Sequence, residues 1–168
     1  MRKTSIIGGL LAAALSGLLL ATSTPAGATH PVAGTRISDL DGRTFATAST
    51  TTKVVTMQPP ISAAALQSWI FSTTTLGTQM RNVGTGGCLT PDPTASTIPA
   101  LIIQESCRGT ANEYWRIVSV TSTSVMFRNV ARSDGCMAID ATSPSLPTRL
   151  HLVQCQNDDR NQHFRLLT

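Results

Sequence analysis

The sequence predicts an all-β fold of three repeats with pseudo-threefold symmetry, closed as a barrel. Three observations carry this prediction. The phrase "RNVGTGGCLTPD" (residues 81–92) recurs as "RNVARSDGCMAID" (residues 128–140), so the chain holds an internal repeat. Cys88 and Cys107 stand 19 residues apart, and so do Cys136 and Cys155, at matching places in the two copies. Short β-branched and aromatic runs alternate with turns rich in Gly, Pro, Asp and Ser, and no stretch after the first 28 residues keeps a capped helical period.

Taken in order, the chain opens with Arg2 and Lys3, an apolar run over residues 6–20, and the small-residue site Ala26-Gly27-Ala28. This is the pattern of a secretory leader over residues 1–28, with cleavage before Thr29. The run falls short of the ~20 residues that a membrane-spanning helix needs. Residues 29–35 read as a short tail, and three repeats follow at about 36–76, 77–122 and 123–168. The first copy is worn. Its "RISDLDGRTF" fits "QMRNVGTGGCL" with one residue dropped from the turn, which sets Thr44 at the position of Cys88. Its "VVTMQ" fits "ALIIQ" and its "QSWIF" fits "EYWRI", while "ISAAALQSW" is the nearest approach to a helix, one short turn. In the other two copies "LIIQ", "YWRIVSV" and "SVMFRNV" read as strands, and "GTGG", "PDPTAST", "CRGTANE" and "RSDG" as turns.

Without the leader, 140 residues (168 − 28) remain, enough for one domain with one core. The formal charge falls from +4 to +2, the arginines are scattered, and Lys53 is the one remaining lysine. Without a basic stripe or a stacking platform, no nucleic-acid partner is expected. Four cysteines in an exported chain read as disulfides. The equal spacing pairs Cys88 with Cys107 and Cys136 with Cys155, each loop contributing about 3 kcal/mol in the chain-entropy account. Neither Cys-x-x-Cys nor His-x-x-x-His is present, so no metal or other cofactor is expected.

One triplet recurs near the end of each repeat: Gln67-Ser68-Trp69, Glu113-Tyr114-Trp115 and Gln162-His163-Phe164. With Cys88-Leu89, Cys136-Met137 and the strands "IIQESC" and "LHLVQC", these residues resemble the ricin-type (Gln-x-Trp) β-trefoil lectin domain over about residues 36–168. The resemblance implies twelve strands, six forming a barrel and six forming three capping hairpins, with Trp69, Trp115 and Phe164 packed in the core. It implies carbohydrate binding, and not catalysis, in a secreted protein.

Sugar recognition needs a carboxylate or amide for paired hydroxyls, an apolar or aromatic face for the ring, and further amides in a shallow pocket. In the family the resemblance points to, the Asp follows the first Cys by two residues and the aromatic precedes the second Cys by about two. Here those positions hold Thr90 and Ala138, and Glu105 and Val153. The candidates that remain are Asp140, His151, Asn161 and Gln162 in the third repeat, and Asp92, Glu105, Asn112 and Glu113 in the second. Asp92 and Asp140 come four residues after their cysteines. They read either as turn residues or as carboxylates bent back into the pocket. The first repeat offers only Asp39 and Asp41, in a turn.

Two functions stay open on these residues. One is a glycan-binding module with degenerate sugar sites. The other is a trefoil that binds an extracellular protein, as a toxin subunit similar to the cytolethal distending type or as a protease inhibitor acting through residues 90–99. No Gly-x-Ser-x-Gly, His-Glu-x-x-His or phosphate loop occurs, nothing in the sequence places His30, His151 or His163 beside a nucleophile, and Asp158-Asp159 reads as a solvated turn. An enzyme is not expected, and neither is membrane insertion.

Overall fold

The computed structural model describes residues 34–142 and 145–168; the expected leader, 1–28, and residues 29–33 of the expected tail lie outside the described residues. Twelve strands occur among the described residues: β1 Arg36–Ser38, β2 Phe45–Thr47, β3 Thr56–Gln58, β4 Trp69–Thr73, β5 Thr78–Asn82, β6 Cys88–Pro91, β7 Ala100–Glu105, β8 Tyr114–Ser119, β9 Val125–Asn129, β10 Gly135–Ile139, β11 Thr148–Gln154 and β12 Arg165–Leu167. Six close a ring, with antiparallel pairs β1–β12, β4–β5, β5–β8 and β8–β9. Single bridges at Thr35↔Trp69 and Val125↔Phe164 complete it. The other six form the hairpins β2–β3, β6–β7 and β10–β11. These join one another through β11 with β3, β11 with β7, and the bridge Val54↔Ile103. The architecture is a β-trefoil, as the threefold repeat predicts. Among the described residues no helix is long and apolar enough to cross a membrane.

The period of two along each strand decides what faces the core. In β10–β11, Met137, Leu150 and Leu152 are fully buried inside. Cys136 lies opposite Val153, and Ala138 opposite His151, on the other face. Trp69, Trp115 and Phe164 are all fully buried. The two indole N–H groups donate to carbonyls one strand away, Trp69 to Ala46 at 2.9 Å and Trp115 to Leu89 at 3.0 Å. Phe164 has no such donor and packs on Phe127 instead, ring centroids 5.6 Å apart.

A 3-10 turn precedes each of these aromatics: Ala64–Gln67, Ala111–Glu113 and Arg160–Gln162. The sequence pattern predicts only the first. The reason for all three is the side chain that ends them. Gln67 donates to the carbonyl of Pro59 at 2.8 Å and accepts from the N–H of Ile61 at 3.3 Å. Gln162 does the same eight and six residues back, with Gln154 at 2.9 Å and Gln156 at 2.9 Å. Glu113 has no N–H to give. It accepts instead from the N–H groups of Arg108 and Gly109, both at 2.9 Å, and from Gln79 Nε2 at 2.7 Å.

The asparagine of the recurring "RNV" phrase ties each repeat to the one before it. Asn82 Nδ2 donates to the carbonyls of Leu66 at 2.9 Å and Ser68 at 3.2 Å, straddling Gln67. Asn129 Nδ2 donates to those of Asn112 at 2.8 Å and Tyr114 at 3.4 Å, straddling Glu113. The first repeat has Asp39 here, whose oxygens accept from the N–H of Arg43 at 2.9 Å and the hydroxyl of Thr44 at 2.7 Å.

The register corrects the alignment of the first repeat. Ser38 pairs with Phe45 as Arg81 pairs with Cys88, and Trp69 reaches Ala46 as Trp115 reaches Leu89. Phe45, not Thr44, therefore stands at the cysteine position, and no residue is dropped from the turn. The mismatch of Phe with Cys is what displaces the sequence alignment by one. Phe45 packs there under the Arg36 guanidinium, 4.6 Å from the ring centroid. The other two repeats carry the expected bridges, Cys88–Cys107 and Cys136–Cys155, with Cα–Cα distances of 5.1 Å and 4.9 Å. Gly86, at φ 73°, adopts the left-handed conformation that the "GTGG" turn requires.

Two stability outcomes follow from this packing. Trp115→Ala is expected to cost about 3–5 kcal/mol in chemical unfolding, since it empties a fully buried site. Gln162→Glu is expected to cost about 1–3 kcal/mol, because it removes the donor to Gln154 and sets a second carboxylate against Asp159. An unchanged unfolding midpoint in the second variant would contradict the role given to the amide.

Candidate functional site

The third repeat carries a cleft of about 450 Å³ on the outer face of β10–β11. Its floor and apolar wall are Ala138, Ile139, Val153 and Pro99, the last from the loop between β6 and β7. Its polar groups are Asp140, Thr142, His151, Asp159 and Asn161. The strand register explains the company. Ala138 and His151 are cross-strand neighbours, Asp140 lies two residues beyond Ala138, and Val153 two beyond His151, so all four side chains share one face.

Asp140 is both of the things the sequence left open. Its Oδ1 accepts from the N–H of Thr142 at 2.9 Å and from its hydroxyl at 2.6 Å, closing a turn. Its Oδ2 faces His151 Nδ1 at 3.8 Å, and the two side chains are 17% and 22% exposed. The Thr142 hydroxyl, then the Thr142 N–H, and after them the fields of His151 and Arg149 hold the Asp140 carboxyl below its ordinary range. Asn161 is fixed from behind: Asp159 Oδ1 accepts its backbone N–H at 2.9 Å and its Nδ2 at 3.1 Å. That leaves the Asn161 carbonyl oxygen and one amide hydrogen for a ligand.

The structure brings together Asp140, His151 and Asn161 but not Gln162. Gln162 is 1% exposed, with its amide spent on the backbone. Glu113 is 4% exposed and spent in the same way. These two residues are buried against turn backbone and do not line this cleft, because the side chain two before a core aromatic is itself drawn inward. Asp159 was missed by sequence reasoning, which reads it as solvated. It caps the turn Arg160–Gln162 and lines the cleft. The signal was its place two residues before Asn161, where an acid can accept the Asn161 N–H. His163 is also buried, its Nε2 donating to the carbonyl of Asn157 at 2.9 Å.

The second-repeat candidates are dispersed. Asp92 Oδ1 accepts from Thr94, whose hydroxyl and N–H lower the Asp92 pKa below its ordinary value. Glu105 turns to Lys53, at 2.8 Å. Ile103 occupies the register position of His151, opposite Thr90. The Thr90 hydroxyl reaches the carbonyl of Asn112 at 3.3 Å, where the methyl of Ala138 leaves space in the third repeat. The loop over residues 90–99 is tied down as well: Arg132 donates to the carbonyl of Ala95, and Ala95 and Ile98 pack against the core. Among the described residues no group of three or more His, Cys, Asp or Glu side chains is placed to hold a metal ion.

Comparison with known proteins adds to this geometry. Of solved structures, the designed 3-fold symmetric protein ThreeFoil superposes with a TM-score of 0.69 at 15% identity, over 80% of this chain and 97% of its own. The Macrolepiota procera ricin B-like lectin, in complex with lactose, gives 0.65 at 15% identity, over 82% and 98%. The Haemophilus ducreyi cytolethal distending toxin gives 0.65 at 15% identity, over 88% of this chain and 92% of that one. At such identity these likenesses speak for the fold alone. No curated protein matches the chain. The family model for the ricin-type beta-trefoil lectin domain matches residues 46–164, a span that takes in all three triplets and both bridges. The chain belongs to the ricin-type β-trefoil lectin domain family.

Proposed function

We propose that the protein is a secreted glycan-binding module with one working sugar site, the cleft of the third repeat. The observation that carries this reading is the convergence of Asp140 Oδ2, the Asn161 amide and His151 over an apolar wall in a single cleft. Asp140 Oδ2 accepts from neighbouring sugar hydroxyls, and the Asn161 amide both accepts and donates. Val153, Ile139 and Pro99 take the apolar side of the ring that an aromatic would otherwise cover. The absence of an aromatic there fits weak, shallow binding. Two disulfides fit an oxidising compartment outside the cell. The site groups have binding roles only; none of them is assigned a reaction.

A second reading, a subunit that binds an extracellular protein, draws on the likeness to the cytolethal distending toxin and on the missing aromatic. The pinned loop over residues 90–99 speaks against its protease-inhibitor form.

A glycan array of the folded protein is the test. Binding is expected, and Asp140→Asn is expected to weaken it by about tenfold or more, the worth of a hydrogen bond to a charged group. Binding indifferent to Asp140→Asn would overturn the third-repeat site, and no binding would favour the protein-partner reading. Acid sets a further expectation. Because the Thr142 hydroxyl and N–H hold the folded Asp140 carboxyl below its ordinary value, binding is expected to fail at a lower pH than an ordinary aspartate would set. Thr142→Ala removes the largest stabiliser of that charge. The acid midpoint of binding should then move up, as read by a pH series on the same glycan.

A further inference from the structure

A second cleft, of about 370 Å³, lies on the other side of the 3-10 turn Arg160–Gln162 and has the opposite electrostatic character. Asp159 and Asn161 line the sugar cleft, whereas Arg160 and His163, from the same short segment, line this one. Arg165 of β12 and the turn between β8 and β9, with Thr121, Thr123 and Ser124, complete it. A neighbouring hollow of about 360 Å³ shares Arg165 and that turn, so the cleft continues as a groove along β12.

Three features suit this cleft to an anion. Among the described residues, neither Arg160 nor Arg165 has a carboxylate oxygen within 4.0 Å. The nearest acids in sequence are otherwise engaged or face solvent. Asp159 accepts from Asn161 and Gln162, Asp39 accepts from Arg43 and Thr44, and Asp41 and Asp158 are exposed on turns. The third feature is Ser124, only 3% exposed. Its partner Thr121 Oγ1 already accepts the N–H groups of Thr123 at 3.2 Å and Ser124 at 3.1 Å, so in the 2.7 Å hydroxyl pair Thr121 is the donor. The hydrogen of the Ser124 hydroxyl is then left over, on the wall of the cleft.

We propose that this cleft binds a tetrahedral oxyanion, a sulfate or phosphate group, through the guanidinium groups of Arg160 and Arg165 and the hydroxyl of Ser124. Guanidinium forks suit paired oxyanion oxygens, and a buried hydroxyl donor adds a fixed point that bulk water cannot supply. Two sources share this chemistry: the free inorganic ion, and a sulfate ester on an extracellular glycan.

The test is a titration of the full chain followed by amide NMR, with sodium sulfate, sodium phosphate and sodium chloride at matched ionic strength. Saturable shifts at Ser124, Arg160 and His163 are expected with sulfate and phosphate and not with chloride. Arg160→Gln with Arg165→Gln is expected to weaken sulfate binding by about tenfold or more. Should that double variant lose the native spectrum, Arg160→Gln alone carries the test, since this side chain is exposed, with a loss of about threefold. Equal shifts with chloride, or unchanged sulfate binding in a natively folded variant, would overturn the proposal. Galactose 6-sulfate beside galactose separates the sources. Tighter binding of the ester than of inorganic sulfate supports a glycan source, and equal binding supports the free ion. Inorganic sulfate carries no sugar, so its result stands whatever the first cleft binds.

Discussion

The trefoil depends on a buried amide or carboxylate that closes a turn just before each core aromatic. A strand cannot carry Trp69, Trp115 or Phe164 to the axis unless the chain ahead of it bends sharply, and a bend at that depth strands backbone polar groups away from water. Gln67 and Gln162 meet this need with one donor and one acceptor, spent eight and six residues back along the chain. Glu113 meets it with acceptors alone and recruits Gln79 from the adjoining strand for the missing donor. The aromatic is the visible part of the triplet, but the residue two before it fixes the path.

Because the scaffold is held from within, the outer faces of the hairpins are free to differ. The three hairpins present Thr47 and Thr56, Thr90 and Ile103, and Ala138 and His151 at corresponding register positions. Only the last combination pairs a small residue with a polar one. Alanine gives the floor, histidine stands beside it, and the turn acid beyond them closes its turn with one oxygen while the other faces His151. A turn carboxylate has two oxygens, and closing the turn consumes one.

The repeat, the bridges and the core aromatics were legible in the sequence because they rest on spacing, and spacing survives substitution. The first repeat was legible only to within one residue, since Phe45 stands where the eye seeks a cysteine. The candidate site was half legible. Asp140 could be named from its distance to Cys136, His151 from its strand before Cys155, and Asn161 from its place beside the triplet. Gln162 and Glu113 could not be told from ligand groups, because an amide or carboxylate that serves a backbone turn has the same letter as one that serves a sugar. Asp159 was hidden for the converse reason: a residue in a polar turn looks solvated until the fold sets a strand face against it.

The asparagine clamps have a further consequence at the place where the chain's first and last strands meet. Two of the three seams between repeats are latched by an amide that straddles the neighbouring turn. The third, between β12 and β1, has Asp39 in that place, and a carboxylate cannot latch a carbonyl. Backbone pairing over Arg36↔Leu167, Ile37↔Leu166 and Ser38↔Arg165 holds this seam, together with Arg165 Nη1, which donates to the Leu40 carbonyl at 3.5 Å. The ring is therefore a bracelet with two rivets and one clasp, the clasp being the seam without an asparagine latch. Leu40 and Arg165 border the basic cleft at this same seam. An anion lodged there would touch both sides of the clasp, Leu40 ahead of β2 and Arg165 on β12, so a surface groove and the closure of the ring share residues.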